Sequence, residues 1–151
     1  MTRVKLLPVR VGLASLLIAL TILGPAKVTA AHWKLLGSDD GFSYFYDSTS
    51  ISYPSKNIGK VWTKTVYKEK GRAQTLEAFR DNRELLNLIK NVDHTVNLFE
   101  IDCPEKKFRT LSGVFYSKSG KVLKTIESTS GMWKSIPPDT IYEAVHELVC
   151  K

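Results

Sequence analysis

The run from Val11 to Leu23 is apolar except for small residues and Thr21, and it decides what the rest of the chain must fold as. Arg3, Lys5 and Arg10 precede it, Gly24 and Pro25 close it, and Val28-Thr29-Ala30 places small residues where a signal peptidase reads. At about 13 residues the run is shorter than the ~20 that a membrane-spanning helix needs. Residues 1–30 are therefore expected to be a cleaved secretory leader. Residues 31–151 are expected to be one exported domain, in the periplasm or at the outer cell surface, with no membrane span of its own. An uncleaved anchor is the competing reading of the same run. No cysteine follows it, so lipid attachment at that point is not indicated.

Charge is affected by the same division. The full chain has 22 Lys and Arg against 15 Asp and Glu, a net charge of +7. Arg3, Lys5, Arg10 and Lys27 belong to the leader, which leaves 18 against 15 and a net charge of +3 for the domain. That mild excess does not argue for nucleic acid, and no nucleic-acid recognition motif accompanies it.

Cys103 and Cys150 are the chain's two cysteines. In an oxidising compartment such a pair most simply forms one disulfide. Closing a loop of this length is worth about 4 kcal/mol in the chain-entropy account. A zinc site would need more ligands at closer spacing. A reactive thiol is the remaining alternative.

The domain reads as strands first and a helix last. Trp33–Leu36 and the aromatic-rich Phe42–Asp47 flank Asp39-Asp40-Gly41, a hairpin signal. Phe42, Tyr44 and Tyr46 share one face at period two and are expected in the core beneath the helix, with an aromatic binding surface as the alternative. Ser48–Asn57 reads as a polar loop. Ile58–Tyr67, His94–Cys103, Phe108–Tyr116 and Lys121–Ile126 read as further strands, turning near Pro104 and at Lys118-Ser119-Gly120. Between them, Leu76, Phe79, Leu86 and Ile89 recur at helical spacing, which predicts a helix over 73–91. A strand followed by a short helix from Asn82 is the alternative.

The clearest helix is the last. Thr140 and Glu143 form a capping box, with Pro137 and Pro138 just ahead of it. Ile141, Ala144, Val145, Leu148 and Val149 then make one apolar stripe. Cys150 ends that helix and Cys103 ends a strand, so a disulfide between them would staple helix to sheet. The fold class is therefore α+β: an antiparallel β-sheet with a C-terminal α-helix packed on one face and tethered by a disulfide.

No catalytic constellation stands out. His32, His94 and His146 lack metal-like spacing, and His146 reads as a solvated residue on the helix's polar side. Glu100 and Asp102 share a strand face and read as solvated carboxylates. There is no nucleophile elbow and no phosphate loop. The expectation is a protein that is not an enzyme and holds neither cofactor nor metal. Lys60, Trp62, Lys64, Val66 and Lys68 alternate along one strand face. Of these, Lys60, Trp62, Lys64 and Lys68 form a candidate ligand-binding patch for an anionic partner. A lysine-guarded sheet edge is the generic alternative.

The residues from Trp33 onward also carry a scattered signature. It runs through Asp40-Gly41, Tyr46-Asp47, Ile51, Val61-Trp62 and Lys64. It is most specific at Glu100-Ile101-Asp102-Cys103 with Lys107 and Arg109. Tyr116, Gly120-Lys121-Val122, Trp133, Ile136-Pro137-Pro138 and Val149-Cys150 complete it. In this it resembles the surface-adhesin protein E family. Lys70–Val92 matches least, and Asp139 stands where the family often has glycine. The resemblance implies an exported, adhesin-like binding module for host extracellular-matrix or other protein ligands. A periplasmic structural or accessory protein with an envelope partner is the alternative. Partners open to it are a protein ligand, a polyanion or a second copy of itself.

Overall fold

The computed structural model describes residues 30–128 and 131–151. The expected leader falls on residues 1–29 and Ala30, of which only Ala30 is among the described residues. Among these, no helix is long and apolar enough to cross a membrane.

Eight antiparallel strands form one sheet. β1 (Trp33–Ser38) and β2 (Phe42–Asp47) make the first hairpin, turning at Asp39-Asp40-Gly41 as expected. The Asp39 carboxylate fixes this turn by accepting from the N–H groups of Gly41 at 2.7 Å and Phe42 at 2.8 Å. β3 (Ser52–Ser55) lies inside the stretch expected to be a polar loop. It pairs with the first half of β4 (Ile58–Tyr67), while β2 pairs with the second half. The sheet continues through β5 (Val92–Asp102), β6 (Lys107–Ser117) and β7 (Val122–Glu127), and the short β8 (Lys134–Ser135) extends the start of β6. β4 is thus interior, flanked by β5 on one side and by β2 and β3 on the other. Its lysines do not guard an edge.

The expected helix over 73–91 is two helices. α1 spans Glu69–Ala78 and α2 spans Arg83–Asn91. Asn82 restarts the chain by accepting from the Leu85 N–H at 3.1 Å, the act of an N-cap. α1 is polar all round, so its position rests on specific contacts rather than on an apolar stripe. Gly71 backs onto Gly41 so closely that a Cβ there would meet the Gly41 carbonyl oxygen at 2.1 Å. Arg72 reaches across to donate to the carbonyls of Ile89 and Val92. Ile89 and Val92 are both buried.

α3 (Ile141–Val149) packs on one face of the sheet. Val145 and Val149 join Val61, Ile101 and Phe108 in the main core. Tyr142 stacks on Phe108, with ring centroids 4.0 Å apart, and meets Phe99 edge-on at 5.6 Å. Tyr46 packs against this cluster, as the aromatic face of β2 predicts. The capping box forms with one shift: Thr140 Oγ1 accepts from the Glu143 N–H, while Glu143 accepts from the N–H of Asp139 rather than that of Thr140. Asp139 has φ of +56°, a left-handed conformation in which glycine is unstrained.

Cys103 and Cys150 are disulfide-bonded, with Cα atoms 5.5 Å apart. The bond ties the end of α3 to the turn after β5. Two neighbours reinforce it. Tyr53 on β3 donates to the Val149 carbonyl at 2.8 Å, and His146 Nε2 lies 3.1 Å from the Cys103 carbonyl oxygen. His146 is therefore a partly buried clasp between helix and turn, where the sequence suggested a solvated residue.

Candidate functional site

The register assigns every strand residue to one of two faces. Residues directly opposite across antiparallel strands share a face. Val61, Phe99, Ile101 and Phe108 face α3. Lys124 faces the same way, since it pairs through Phe115 with Thr95, and it forms an ion pair with Glu84 of α2. α3 and, at the outer strand β7, α2 thus lie on one side of the sheet. The other face carries no helix among the described residues.

That open face is aromatic and aliphatic, with cations set into it. Trp62 pairs with Leu98, Lys64 with Val96, and Val66 with His94, which stacks on Tyr116 with centroids 4.9 Å apart. Trp33, Trp62, Val96, Val114 and Tyr116 line a shallow basin on this face. Lys64 Nζ stands 4.7 Å from the centre of the Trp33 ring and 4.9 Å from that of Phe45, a double cation–π contact.

Further along, Glu100 is only 6% exposed. It accepts from Arg109 Nε and pairs with Lys60 at 3.5 Å. The Arg109 guanidinium also lies 4.5 Å over the Trp133 ring. The sequence suggested a solvated Glu100; the register places both cations beside it and closes it off.

Lys60, Trp62 and Lys64 therefore share the open face. Lys68 does not belong to the strand. It occupies the position just ahead of α1, and its ammonium donates to Ser38 Oγ at 2.9 Å and to the Asp39 carbonyl. Among the described residues, no three of His, Cys, Asp and Glu gather as a metal site.

On the helical face a cleft of about 340 Å³ opens between the start of α3 and strands β2, β4 and β5. Aromatic rings form its walls: Phe42, Tyr44, Tyr67, Phe99 and Tyr142. Phe42 and Tyr67 meet edge-to-face at 5.4 Å. Its floor is a row of short polar side chains, Thr63 and Thr65 from β4 beside Thr95 and Asn97 from β5. Burial, with help from the Asp39 charge, pushes the Tyr44 phenol up to about 12, and burial also raises Tyr67 and Tyr142. All three phenols are neutral at physiological pH. Lys64 contributes only backbone here, because its ammonium is on the opposite face. The sequence marked Phe42 and Tyr44 as aromatics that could bind, but gave no sign of the rest of this cleft. Its residues come from four strands and a helix, and only their register brings them together.

The chain belongs to the surface-adhesin protein E family, whose profile matches residues 33–151. The match takes in both faces just described. The structure of Haemophilus influenzae protein E is 16% identical over 85% of this chain and 90% of its own, with a TM-score of 0.48. Protein E from non-typeable Haemophilus influenzae is 16% identical over 85% of this chain and 81% of its own, with a TM-score of 0.46. A second crystal form of Haemophilus influenzae protein E is 12% identical over 81% of this chain and 96% of its own, with a TM-score of 0.47. No curated protein sequence matches the chain.

Proposed function

We propose that this protein is an exported, adhesin-like binding module that engages an acidic protein or polyanionic ligand of the extracellular matrix through its open sheet face. The observation that supports this reading is the face itself, within a domain of the surface-adhesin protein E family. It sets Trp62 and a ring-backed Lys64 beside Lys60 on an interior strand that no helix covers among the described residues. Edge protection does not account for these lysines. Trp62 supplies a flat apolar contact, and Lys60 and Lys64 supply charge four residues apart, about 13 Å along the strand. A leader over residues 1–30, removed on export, would place the domain where such a ligand is met.

Binding of this kind weakens with salt, because exposed charges are screened over about 8 Å at physiological ionic strength. The test is retention of the domain on heparin and on immobilised matrix proteins across a salt series, comparing wild type with the Lys60→Gln/Lys64→Gln double variant and with Trp62→Ser. The reading requires retention that falls with salt and drops in both variants. Wild-type-like retention in folded variants overturns it. Labelling of intact cells separates a surface module from a periplasmic accessory protein, since only the former reacts.

A further inference from the structure

We infer that the cleft under α3 is a second, independent binding site, for a neutral saccharide ring. It lies on the face of the sheet opposite Trp62 and Lys64, so it does not depend on the reading of that face.

Chemistry selects the ligand class. A sugar ring has an apolar C–H face and a rim of hydroxyls, and it is held by aromatic faces together with neutral donors and acceptors. The cleft has both. Phe42, Tyr44 and Tyr142 offer rings at its walls, and Thr63, Thr65, Thr95 and Asn97 line its floor. Its volume of about 340 Å³ is near the lower end of the ~300–1,000 Å³ typical of ligand clefts, which suits one ring better than an extended chain.

The floor's buried hydroxyls are all partnered within the protein, but in part through long bonds. Thr63 and Thr95 are 6% and 5% exposed, so their hydroxyls need partners. Thr95 also bonds the Tyr67 hydroxyl, and the other bonds of the pair are long. Thr63 Oγ1 donates to the Asn97 carbonyl at 3.4 Å, and Asn97 Nδ2 donates to Thr95 Oγ1 at 3.4 Å. Good bonds of these kinds are about 2.7–3.2 Å. Such groups gain by turning to a ligand hydroxyl.

Charge excludes the other candidates. Among the described lining residues Lys64 alone carries charge, and its ammonium lies on the opposite face, so an anion would find no counter-charge and a cation no carboxylate. Asp39 stands outside at the lip, where it accepts from the Tyr44 hydroxyl at 3.4 Å and steadies that wall. A purely apolar ligand would make no use of the threonine hydroxyls on the floor.

The test is titration of the isotope-labelled domain with glucose, galactose and N-acetylglucosamine, each to 50 mM on the order of a weak-site assay, with N-acetylneuraminic acid as the anionic control. The expected result is saturable shifts of the Thr65, Thr95, Asn97 and Tyr142 amides with at least one neutral sugar, and none with the acid. Thr65→Val keeps the shape and removes one hydroxyl, and Tyr44→Leu removes one wall. Each should weaken binding about tenfold, the effect of roughly 1.4 kcal/mol. Lys64→Gln on the opposite face should leave it unchanged. No saturable shift with any neutral sugar overturns the inference, as do shifts confined to the open face or unaltered binding in folded Thr65→Val and Tyr44→Leu.

Discussion

A Cβ added to Gly59 would stand 2.1 Å from Cγ1 of Val149. The two residues mark the closest approach of α3 to β4, and Val149 is fully buried there. Gly59→Ala should therefore push the end of α3 off the sheet. We expect a loss of about 1–3 kcal/mol, the range for overpacking a filled core. Urea unfolding checks it, and the loss should be smaller in a Gly59→Ala/Val149→Ala double variant than the two single losses added together.

Glu100 holds Arg109 and Lys60 together beneath the open face. Glu100→Gln keeps the shape and removes the charge, leaving two cations opposite an amide. The expected loss is about 1–3 kcal/mol, the lower range for a broken buried pair, because both cations retain partial access to water. Replacing Glu100 and Arg109 together by leucine should cost less than Glu100→Gln alone. Thermal unfolding of the three proteins decides this.

Asp47 gives the fold an acid limit. Burial raises its pKa, but the Thr49 hydroxyl and N–H and the His32 N–H outweigh that and hold it below the ordinary value of 3.8. A carboxyl depressed by folding stabilises the protein above its unfolded pKa, and this contribution is lost as pH falls through the folded one. The stability difference between wild type and Asp47→Asn should therefore be constant above about pH 5 and shrink below about pH 4. A difference that stays flat to pH 2 would contradict this assignment.

Removing the disulfide by Cys103→Ala and Cys150→Ala should cost about 2–4 kcal/mol. The effect should be local first. At nine residues α3 is too short to persist by itself, so its amides should exchange faster than those of β4 and β5 in hydrogen-exchange measurements. Equal acceleration everywhere would mean that the bond steadies the whole domain rather than docking the helix.

Asp139→Gly should stabilise the protein by a few tenths to about 1 kcal/mol. Glycine adopts the +56° φ without strain, and the backbone N–H that Glu143 accepts from is unchanged. A melting-temperature comparison is sufficient.

Local chemistry was readable along much of this chain. β2 and β4 fall on the residues that alternation and aromatic content mark out, and Thr140 with its apolar stripe locates α3 to the residue. The break between α1 and α2 was readable only as an alternative, a strand followed by a short helix from Asn82, because apolar residues on both sides keep a common helical spacing. Asn82 was the available sign of a restart. What makes α1 a separate piece is distant, namely Gly71 against Gly41 and Arg72 on the end of α2. The misread charges have a similar cause. Glu100 and His146 look solvated when judged by their own element, and their partners arrive from β4, β6 and the turn after β5. Lys68 fits the alternation of β4 until the chain turns into α1.

The Cys103–Cys150 bond also sets how the domain yields to traction. A chain pulled by its two ends cannot lengthen between two covalently joined residues. The 47-residue separation that holds β6, β7, β8 and α3 would stay closed while β1 to β5 peel away. At ~3.3–3.6 Å per residue, roughly 160 Å of contour never enters the load path. Three of the eight described strands are thereby spared mechanical unravelling, and a tether under shear would give out short of its full length.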